Sequence, residues 1–357
     1  MSQTPIALPQ YPWGDALPAA GSLMTLREGL HWVRMPLPFA LNHINLWVLD
    51  DALDGTPGWT VVDGGIGSDA LRELWRQVWA GPLASAPLQR MLVTHMHPDH
   101  VGNAQWLIDS YSAADAPARL WMSLGDHFGA TVARSATTGY GGPRAADFFE
   151  SHGLVDPHDL AQIRGRIDYF STLVPTLPPS YRRLMDGQVL RIGGRSWRCI
   201  AGYGHSPEHM ALYSDDDRVL ISGDMLLPKI STNVSVTDLE PEADALGLFL
   251  QSIDRFLALP DDTLVLPSHG HPFVGIRDRV AALHAHHRDR LADVMAACQA
   301  QPQSAADLLP VLFTRKLDLH QTTFAMGESV AHLNHLWLAG HLRRRKGDDG
   351  VWRFSPG

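Results

Sequence analysis

Apolar residues recur along the chain in two patterns. Short apolar runs bounded by glycine, proline or aspartate predict strands, and apolar positions spaced by three and four residues predict amphipathic helices. The strands are expected at 41–49, 59–63, 189–192, 197–200, 210–213, 219–222 and 264–267, and the helices at 68–80, 246–257 and 277–300. Strands and helices in this alternation indicate a layered α/β body.

The stretch from Leu92 to His100 carries four potential metal ligands, His95, His97, Asp99 and His100, directly after an apolar run. On a strand, His95 and His97 would point to the same side, and Pro98 would start a turn that brings the other two ligands back to the same point. Imidazole and carboxylate ligands suit zinc, and with more oxygen they suit iron or manganese. A cluster of ordinary surface or core histidines is the alternative, and the spacing favours the metal site.

Three further motifs follow in order, and they contain His205 within 204–209, Asp224 at the end of 220–224, and His269 within 264–270. Together with the first motif they resemble the signature of the metallo-β-lactamase superfamily of binuclear metallohydrolases. The resemblance implies an α/β fold, the metallo-β-lactamase αββα sandwich of two mixed sheets with helices outside. It also implies the ligands, which are His95, His97 and His205 for one metal ion, Asp99, His100 and His269 for the other, and Asp224 as the bridge.

The same resemblance implies a binuclear metal-dependent hydrolase that acts on a small ester, thioester or lactone through a metal-bridging hydroxide. Two divalent metal ions are expected, zinc first, with iron or manganese as alternatives. Asp99 and Asp224 are the expected catalytic residues, since Asp99 can orient the water or pass on its proton. Secreted β-lactamases commonly have cysteine where this chain has Asp224, so the ligand set is more similar to that of glyoxalase II. Glu208 stands where glyoxalase II-like proteins commonly have glycine, so glutathione thioesters are not the first expectation.

The length of 357 residues suggests a main domain with an appendage. We expect a catalytic domain over 1–300, with a helical insertion at about 135–185, and a small C-terminal winged-helix-like domain over 301–357. The net charge of −9 argues against a polyanion as the main partner, and the presence of only two cysteines favours a cytoplasmic location. No signal peptide and no membrane-spanning run is expected, which argues against a periplasmic or secreted location. A small-molecule substrate is the expected partner, and no membrane is expected as one.

The C-terminal pattern predicts helices at 305–313 and 328–339, and two strands at 340–347 and 351–354 around a charged turn. This order resembles a small winged-helix domain. Its basic tip, Arg343 to Lys346, supports an alternative function, a phosphodiesterase or endoribonuclease that uses the C-terminal domain to hold RNA. The acidic neighbours Asp348 and Asp349 weaken that alternative, so packing or dimerisation is preferred and a homodimer is possible. A redox protein with two irons ranks third, because the sequence shows no flavin domain.

Other residues each have two interpretations. Asp63 is either a turn residue or an acceptor that orients a ligand histidine, and the second is favoured. His43 is expected to be structural, and Lys229 or Asn233 either reaches the substrate or belongs to a structural loop. The insertion is either a wall of the substrate pocket or an inert elaboration. The histidines within 284–287 are expected on a solvated helix side rather than at a metal ion.

Overall fold

The computed structural model describes residues 9–135 and 141–357. A seven-stranded sheet forms one of the two central layers of the protein, and its strands lie side by side in chain order. Neighbouring strands pair in antiparallel orientation among the first four strands and in parallel orientation from the fourth to the seventh. The strands are β1 (Met24–Arg27), β2 (Leu30–Pro36), β3 (His43–Leu53), β4 (Thr56–Val62), β5 (Leu88–Leu92), β6 (Arg119–Ser123) and β7 (Tyr181–Leu184).

A six-stranded sheet forms the other central layer, and a separate hairpin lies near the C-terminus. The strands of the second sheet are β8 (Val189–Ile192), β9 (Arg195–Gly202), β10 (His209–Ser214), β11 (Val219–Gly223), β12 (Leu264–Pro267) and β13 (Phe273–Val274). Their spatial order runs from β13 to β8, and only the pair β11–β12 is parallel. The C-terminal hairpin consists of β14 (Leu342–Lys346) and β15 (Trp352–Pro356).

Helices cover the outer faces of both sheets. They are α1 (Asp69–Ala80), α2 (Pro98–Val101), α3 (Ala104–Tyr111), α4 (Leu124–Ser135), α5 (Gly142–Glu150), α6 (Pro157–Gly165), α7 (Tyr169–Leu173), α8 (Ala245–Asp254), α9 (Ile276–Ala300), α10 (Leu309–Leu312) and α11 (Leu319–Leu338). A 3₁₀ turn, Arg255–Ala258, extends α8. In the described part of the chain, no helix combines the length and the hydropathy that a bilayer-spanning segment needs.

Within residues 9–135 and 141–357, three apolar cores separate four layers, as a sandwich with helices outside requires. The middle core lies between the sheets and includes the buried Trp32, Trp47 and Trp197. A second core joins the first sheet to α1 and α3, and a third joins the second sheet to α8, α9 and α11. The predicted αββα fold class is therefore confirmed.

The boundaries of the additions differ from the prediction. The segment predicted as an insertion contains α5, α6 and α7, but it ends in β7, which pairs with β6 as a strand of the first sheet. Leu184 at the end of β7 is buried in the core between the sheets, which explains why this segment becomes a strand. Positions 136–140 of the predicted insertion lie outside the described residues.

The predicted helices at 305–313 and 328–339 are wrong in extent. The first is reduced to α10, because Pro310 near its start cannot donate a backbone N–H to an earlier turn. The second begins nine positions earlier, at Leu319, where Asp318 and Gln321 form a capping box. The following hairpin is confirmed, and the winged-helix assignment and the domain division at 300/301 stay predictions.

The insertion and the C-terminal segment pack on one another. The backbone carbonyl of Ser151, just after α5, accepts a hydrogen bond from the backbone N–H of Trp352 at 2.8 Å. The backbone carbonyl of His152 accepts one from the N–H of Ala306 at 3.1 Å. Side chains of α5 and α6 share the third core with α9 and α11. α5 and α6 of the insertion therefore form one layer with the C-terminal segment over the second sheet, whereas Phe170 of α7 packs in the second core.

Candidate metal centre

The first ligand motif spans the loop after β5, which holds His95 and His97, and the helix α2, which holds Asp99 and His100. Thr94 donates its backbone N–H to Asp63 Oδ1 at 2.8 Å and its hydroxyl to Asp63 Oδ2 at 2.8 Å. Because these bonds take Thr94 out of the strand pairing, His95 and His97 lie in a loop and not on the predicted strand. Pro98 starts the short helix α2, where its missing N–H is tolerated.

Three imidazole nitrogens converge in the first ligand group. His95 Nε2 lies 2.9 Å from His97 Nδ1 and 3.1 Å from His205 Nε2. One proton on His95 Nε2 can serve only one of these neighbours, so sharing a proton does not satisfy all three nitrogens. Ligands at the ~2.0–2.1 Å typical of zinc–imidazole bonds lie about 3.3 Å apart in a tetrahedral site, so the observed spacing fits a shared ion.

The second ligand group lies on the other side of Asp224. Asp99 Oδ2 is 3.7 Å from His100 Nε2 and 3.4 Å from His269 Nε2. Asp224 Oδ2 lies 3.4 Å from His205 Nε2 in the first group. Asp224 Oδ1 lies 3.7 Å from His100 Nε2 and 3.4 Å from His269 Nε2 in the second. The structure thus brings all seven expected residues together, with one carboxylate oxygen of Asp224 towards each group.

Two buried atoms in this cluster lack a hydrogen-bond partner among the described residues, His100 Nε2 and Asp224 Oδ1. A buried polar atom without a partner costs about 1–3 kcal/mol. Divalent ions held by the two groups would satisfy both atoms, and neutral nitrogens with carboxylate oxygens are suitable donors for them. The fold and this donor set support divalent metal binding.

The other nitrogens of three ligand rings are fixed by acceptors behind them. His100 Nδ1 donates to Asp63 Oδ2 at 2.8 Å, His205 Nδ1 to the Asn233 carbonyl at 2.7 Å, and His269 Nδ1 to the His43 carbonyl at 2.7 Å. These bonds select the tautomer that leaves Nε2 free for a metal ion. Asp63 therefore has the favoured role of an acceptor that orients a ligand histidine. His43 is structural, since its side chain accepts the Gly270 N–H at 2.7 Å.

Charges are distributed unevenly between the two groups. Burial and the neighbouring His100 hold the pKa of His95 well below its usual value, and burial with His205 lowers that of His97 to about 3. Burial opposes a charge on His100 too, but Asp63, Asp99 and Asp224 outweigh it and raise its pKa to about 9. The carboxylates around His100 therefore favour a positive charge at the second group, so cation binding and protonation compete there.

A buried network lies behind the centre, and the part that Asp126 plays in it was not predicted. Asp126, in α4, accepts the backbone N–H of Met96 at 2.7 Å and that of Glu208 at 2.6 Å. It thereby joins the loop of the first motif to the loop of His205, and burial raises its pKa to about 6. His209 Nε2 accepts the backbone N–H of Asp224 at 3.2 Å. In the sequence, only the acidic character of Asp126 points to this role, and the residues next to it do not distinguish it from other aspartates.

A cleft with two cavities opens over the centre. We call the cavity of about 450 Å³ the large lobe and the cavity of about 250 Å³ the small lobe. The large lobe is lined mainly by apolar side chains, which include Leu37, Phe39, Leu41, Leu173, Leu227, Ile230, Phe313 and Leu317. The small lobe carries more hydroxyl groups, which include those of Ser206, Ser235, Thr237 and Thr323, and it also contains Asn233, Arg166 and Glu240.

The additions to the sandwich supply much of the cleft. Tyr169 at the start of α7 lines both lobes, as the pocket-wall interpretation of the insertion expects. Of the two candidates after Asp224, Asn233 lines both lobes, whereas Lys229 lines neither and lies 5.8 Å from the Tyr11 ring. Glu328 of α11 also lines the large lobe and was not predicted as a residue of the cleft. Burial raises its pKa to about 7, and Asn233 Nδ2 lies 3.5 Å from its carboxylate.

The chain is similar to a solved structure over almost its whole length. The crystal structure of a beta-lactamase domain protein from Burkholderia ambifaria shares 52% sequence identity, covers 98% of both chains and superposes with a TM-score of 0.92.

Curated relatives are more distant. The probable metallo-hydrolase YqjP of Bacillus subtilis is 24% identical over 85% of this chain and 91% of its own. The acyl-coenzyme A thioesterase MBLAC2 of Gallus gallus is 26% identical over 70% of this chain and 80% of its own. The hydroxyacylglutathione hydrolase GloC of Haemophilus influenzae is 26% identical over 51% of this chain and 69% of its own.

Two family models match the chain. Residues 291–357 match the metallo-beta-lactamase-like C-terminal domain, and residues 42–269, which contain all seven clustered residues, match the metallo-beta-lactamase superfamily. The predicted resemblance is confirmed, and the relatives support a hydrolase. The chain belongs to the metallo-beta-lactamase superfamily and is a metallo-hydrolase of that superfamily.

Proposed function

We propose that this protein is a binuclear metal-dependent hydrolase of small thioesters, with esters and lactones as further substrates. The position of Asp224 carries the proposal, because its two carboxylate oxygens face two separate groups of ligands. Two divalent ions bound there would supply an activated water and polarise the scissile carbonyl group. We propose zinc first, with iron or manganese as alternatives.

The protein side chains have distinct tasks in this proposal. His95, His97 and His205 would hold one ion, and Asp99, His100 and His269 the other. Asp99 also lines the large lobe with its side chain 20% exposed, so it can accept a hydrogen bond from the attacking water and take its proton. The acceptors behind the rings keep the ligands in place, so little reorganisation is needed during the reaction.

Thioesters stand first because of the relatives. One is named as an acyl-coenzyme A thioesterase and another as a hydroxyacylglutathione hydrolase, and both names describe the cleavage of an acyl group from a thiol. Asp224 agrees with this choice, because an aspartate at this position makes the ligand set more similar to that of glyoxalase II than to that of secreted β-lactamases. The cleft favours a small molecule, since its lobes are of the size that such ligands occupy.

A substrate panel tests this proposal with purified, metal-loaded protein. It contains acyl thioesters of coenzyme A and glutathione, a lactone, a β-lactam, a phosphodiester and short RNA, each with wild type and Asp224→Asn. Asp69→Asn is the control, because that carboxylate is fully exposed in α1. Thioester turnover lost only in Asp224→Asn supports the proposal, whereas turnover of RNA or phosphodiester alone contradicts it.

The basic C-terminal tip gives little support to the RNA alternative. The Arg344 guanidinium is 4.0 Å from the Trp337 ring and 4.3 Å from the Trp352 ring, and it pairs with Glu242 at 2.5 Å. One of the four basic residues is therefore used in packing, as the preferred interpretation of this domain expects. We propose packing as its main role, and sedimentation of the purified protein would test a homodimer.

A further inference from the structure

The two lobes meet at the metal centre. His97 and His205, one from each of two ligand motifs, line both the large and the small lobe. A scissile bond held at the centre therefore has one half of the substrate directed into each lobe.

An aromatic cluster separates the lobes. His320 of α11 lies 5.6 Å from the Phe39 ring, 5.9 Å from the Tyr169 ring and 4.9 Å from the Phe324 ring. His320, Tyr169 and Phe324 line both lobes, so this cluster stands between them. Because the insertion and the C-terminal helix both contribute to it, the two additions together define where each half of a substrate can lie.

The chemistry of the walls differs between the lobes. In the large lobe, Leu37 and Phe39 face Leu173 of the insertion, Ile230 of the loop after Asp224, and Phe313 of the C-terminal segment. Burial of one methylene group among such side chains increases a binding constant about fourfold. An amide or hydroxyl group placed against these five side chains would lose its water without gaining a protein partner.

The small lobe offers more hydroxyl groups than the large lobe, whose wall also contains Ser231, Thr232 and Gln321. The hydroxyls of Ser235, Thr237 and Thr323 line it together with the Asn233 side chain and the Arg166 guanidinium. Thiols that carry acyl groups by amide-containing arms need donors and acceptors of this kind along the arm.

We propose that the large lobe binds the acyl chain of a medium-length fatty acyl thioester, and that the small lobe binds the amide-containing thiol. Ile230 and Phe313 are then residues that determine acyl-chain length. This assignment rests on the proposed thioesterase function and adds the orientation and the class of its substrate.

A chain-length series tests the assignment with the full-length, metal-loaded protein. The probes are thioesters of one thiol, N-acetylcysteamine, with unbranched acyl groups from acetyl to decanoyl. In the wild type, kcat/KM should rise by about fourfold for each added CH₂ until the lobe is filled. KM should account for most of that rise, since the acyl chain contributes binding and not chemistry.

Three exposed apolar residues give matched truncations. Ile230 in the large lobe is 48% exposed, Leu248 in the small lobe 42%, and Leu338 on α11, which lines neither lobe, 49%. Ile230→Ala should lower kcat/KM for octanoyl and decanoyl thioesters several-fold more than for acetyl thioester. Leu248→Ala should lower kcat/KM by the same factor for every acyl length, and Leu338→Ala should have the kcat/KM values of the wild type.

A second variant should reduce the volume of the large lobe, whereas Ile230→Ala enlarges it. Ala40 is exposed at its wall, so Ala40→Phe should shorten the longest accepted acyl chain without affecting folding. Thioester turnover that is independent of acyl length, or a length preference altered by Leu248→Ala and not by Ile230→Ala, would overturn the assignment and leave the proposed function standing. Absence of turnover with every thioester would overturn both.

Discussion

Two histidine clusters in this protein look alike in the sequence and differ in the structure. At the metal centre, rings are fixed from behind by Asp63 or by carbonyl groups, and their Nε2 atoms converge on Asp99 and Asp224. Between α9 and α11, His287 Nδ1 lies 3.3 Å from His332 Nε2, with both rings fully buried. The nearby carboxylates there point elsewhere, since Asp254 pairs with His284 and Asp244 with His335.

The difference shows what makes a histidine cluster a metal site. Burial lowers the pKa of His287 to about 3 and that of His332 to about 4, so both rings are neutral and could in principle act as ligands. They lack converging anionic oxygens that would offset a divalent charge in a dry environment. Convergence of neutral nitrogens with carboxylates, and not the number of histidines, distinguishes the centre.

The largest expected effect comes from the bridging carboxylate. Asp224→Ala removes a ligand from both groups, so the metal content should fall to one ion per chain or less. Turnover should fall by well over the roughly 100-fold that loss of a residue behind a ligand causes. Elemental analysis and steady-state kinetics measure the two quantities. The same elemental analysis on His287→Leu should show the wild-type metal content, and a loss of metal there would erase the distinction between the clusters.

A smaller effect is expected from the acceptor behind His100. Asp63→Asn keeps the side-chain shape, and asparagine tolerates the φ of +64° at this position. Removal of the charge should weaken metal binding by about 10–100-fold, because His100 loses the anion that fixes and polarises its ring. Competition with a chromophoric chelator measures this affinity. Asp51→Asn, at a buried acid that pairs with Arg90, is the control and should leave metal affinity as it is.

The helix cluster should affect stability in acid and not catalysis. In the folded state the pKa values of His287 and His332 lie below the usual ~6.5, so the unfolded chain binds more protons between about pH 3 and 6.5. The contribution of this pair to the free energy of unfolding should therefore rise with pH in this window and level off above pH 6.5. His287→Leu should reduce the slope near pH 5 by about 1.4 kcal/mol per pH unit.

Urea unfolding of chelated protein at pH 4.5, 5.5 and 7 measures that slope. His284→Leu is the matched control for loss of a histidine from α9, because this neighbouring ring is partly exposed beside Asp254. Equal slopes in the wild type and His287→Leu would show that the buried pair does not titrate as described.

The ligands could be predicted from the sequence, whereas most of their surroundings could not. The motifs around His95, His205 and His269 specify side chains at fixed local spacing, so a resemblance transfers them. The acceptors behind His205 and His269 are backbone carbonyls, which any residue type provides, so Asn233 and His43 carry no signal for that role. The side chain of Asp126 acts across 82 positions to reach Glu208, a distance that only the fold reveals.

The C-terminal region was predicted least well, for a related reason. Helix α9 was expected to expose its histidines, but α11 packs on it and buries His287. The start of α11 was missed although the capping box at Asp318 was present in the sequence. The role of His320 and Phe324 in the cleft depends on where this helix lies, and periodicity alone does not determine tertiary position.

The most direct test of the binuclear account is a metal reconstitution titration. Chelated wild-type protein is titrated with zinc, while bound metal per chain and thioester turnover are measured at each step. The account predicts that bound metal reaches two ions per chain and that turnover becomes maximal only as the second ion binds. Full turnover in the chelated protein, or binding that ends below one ion per chain, would contradict it.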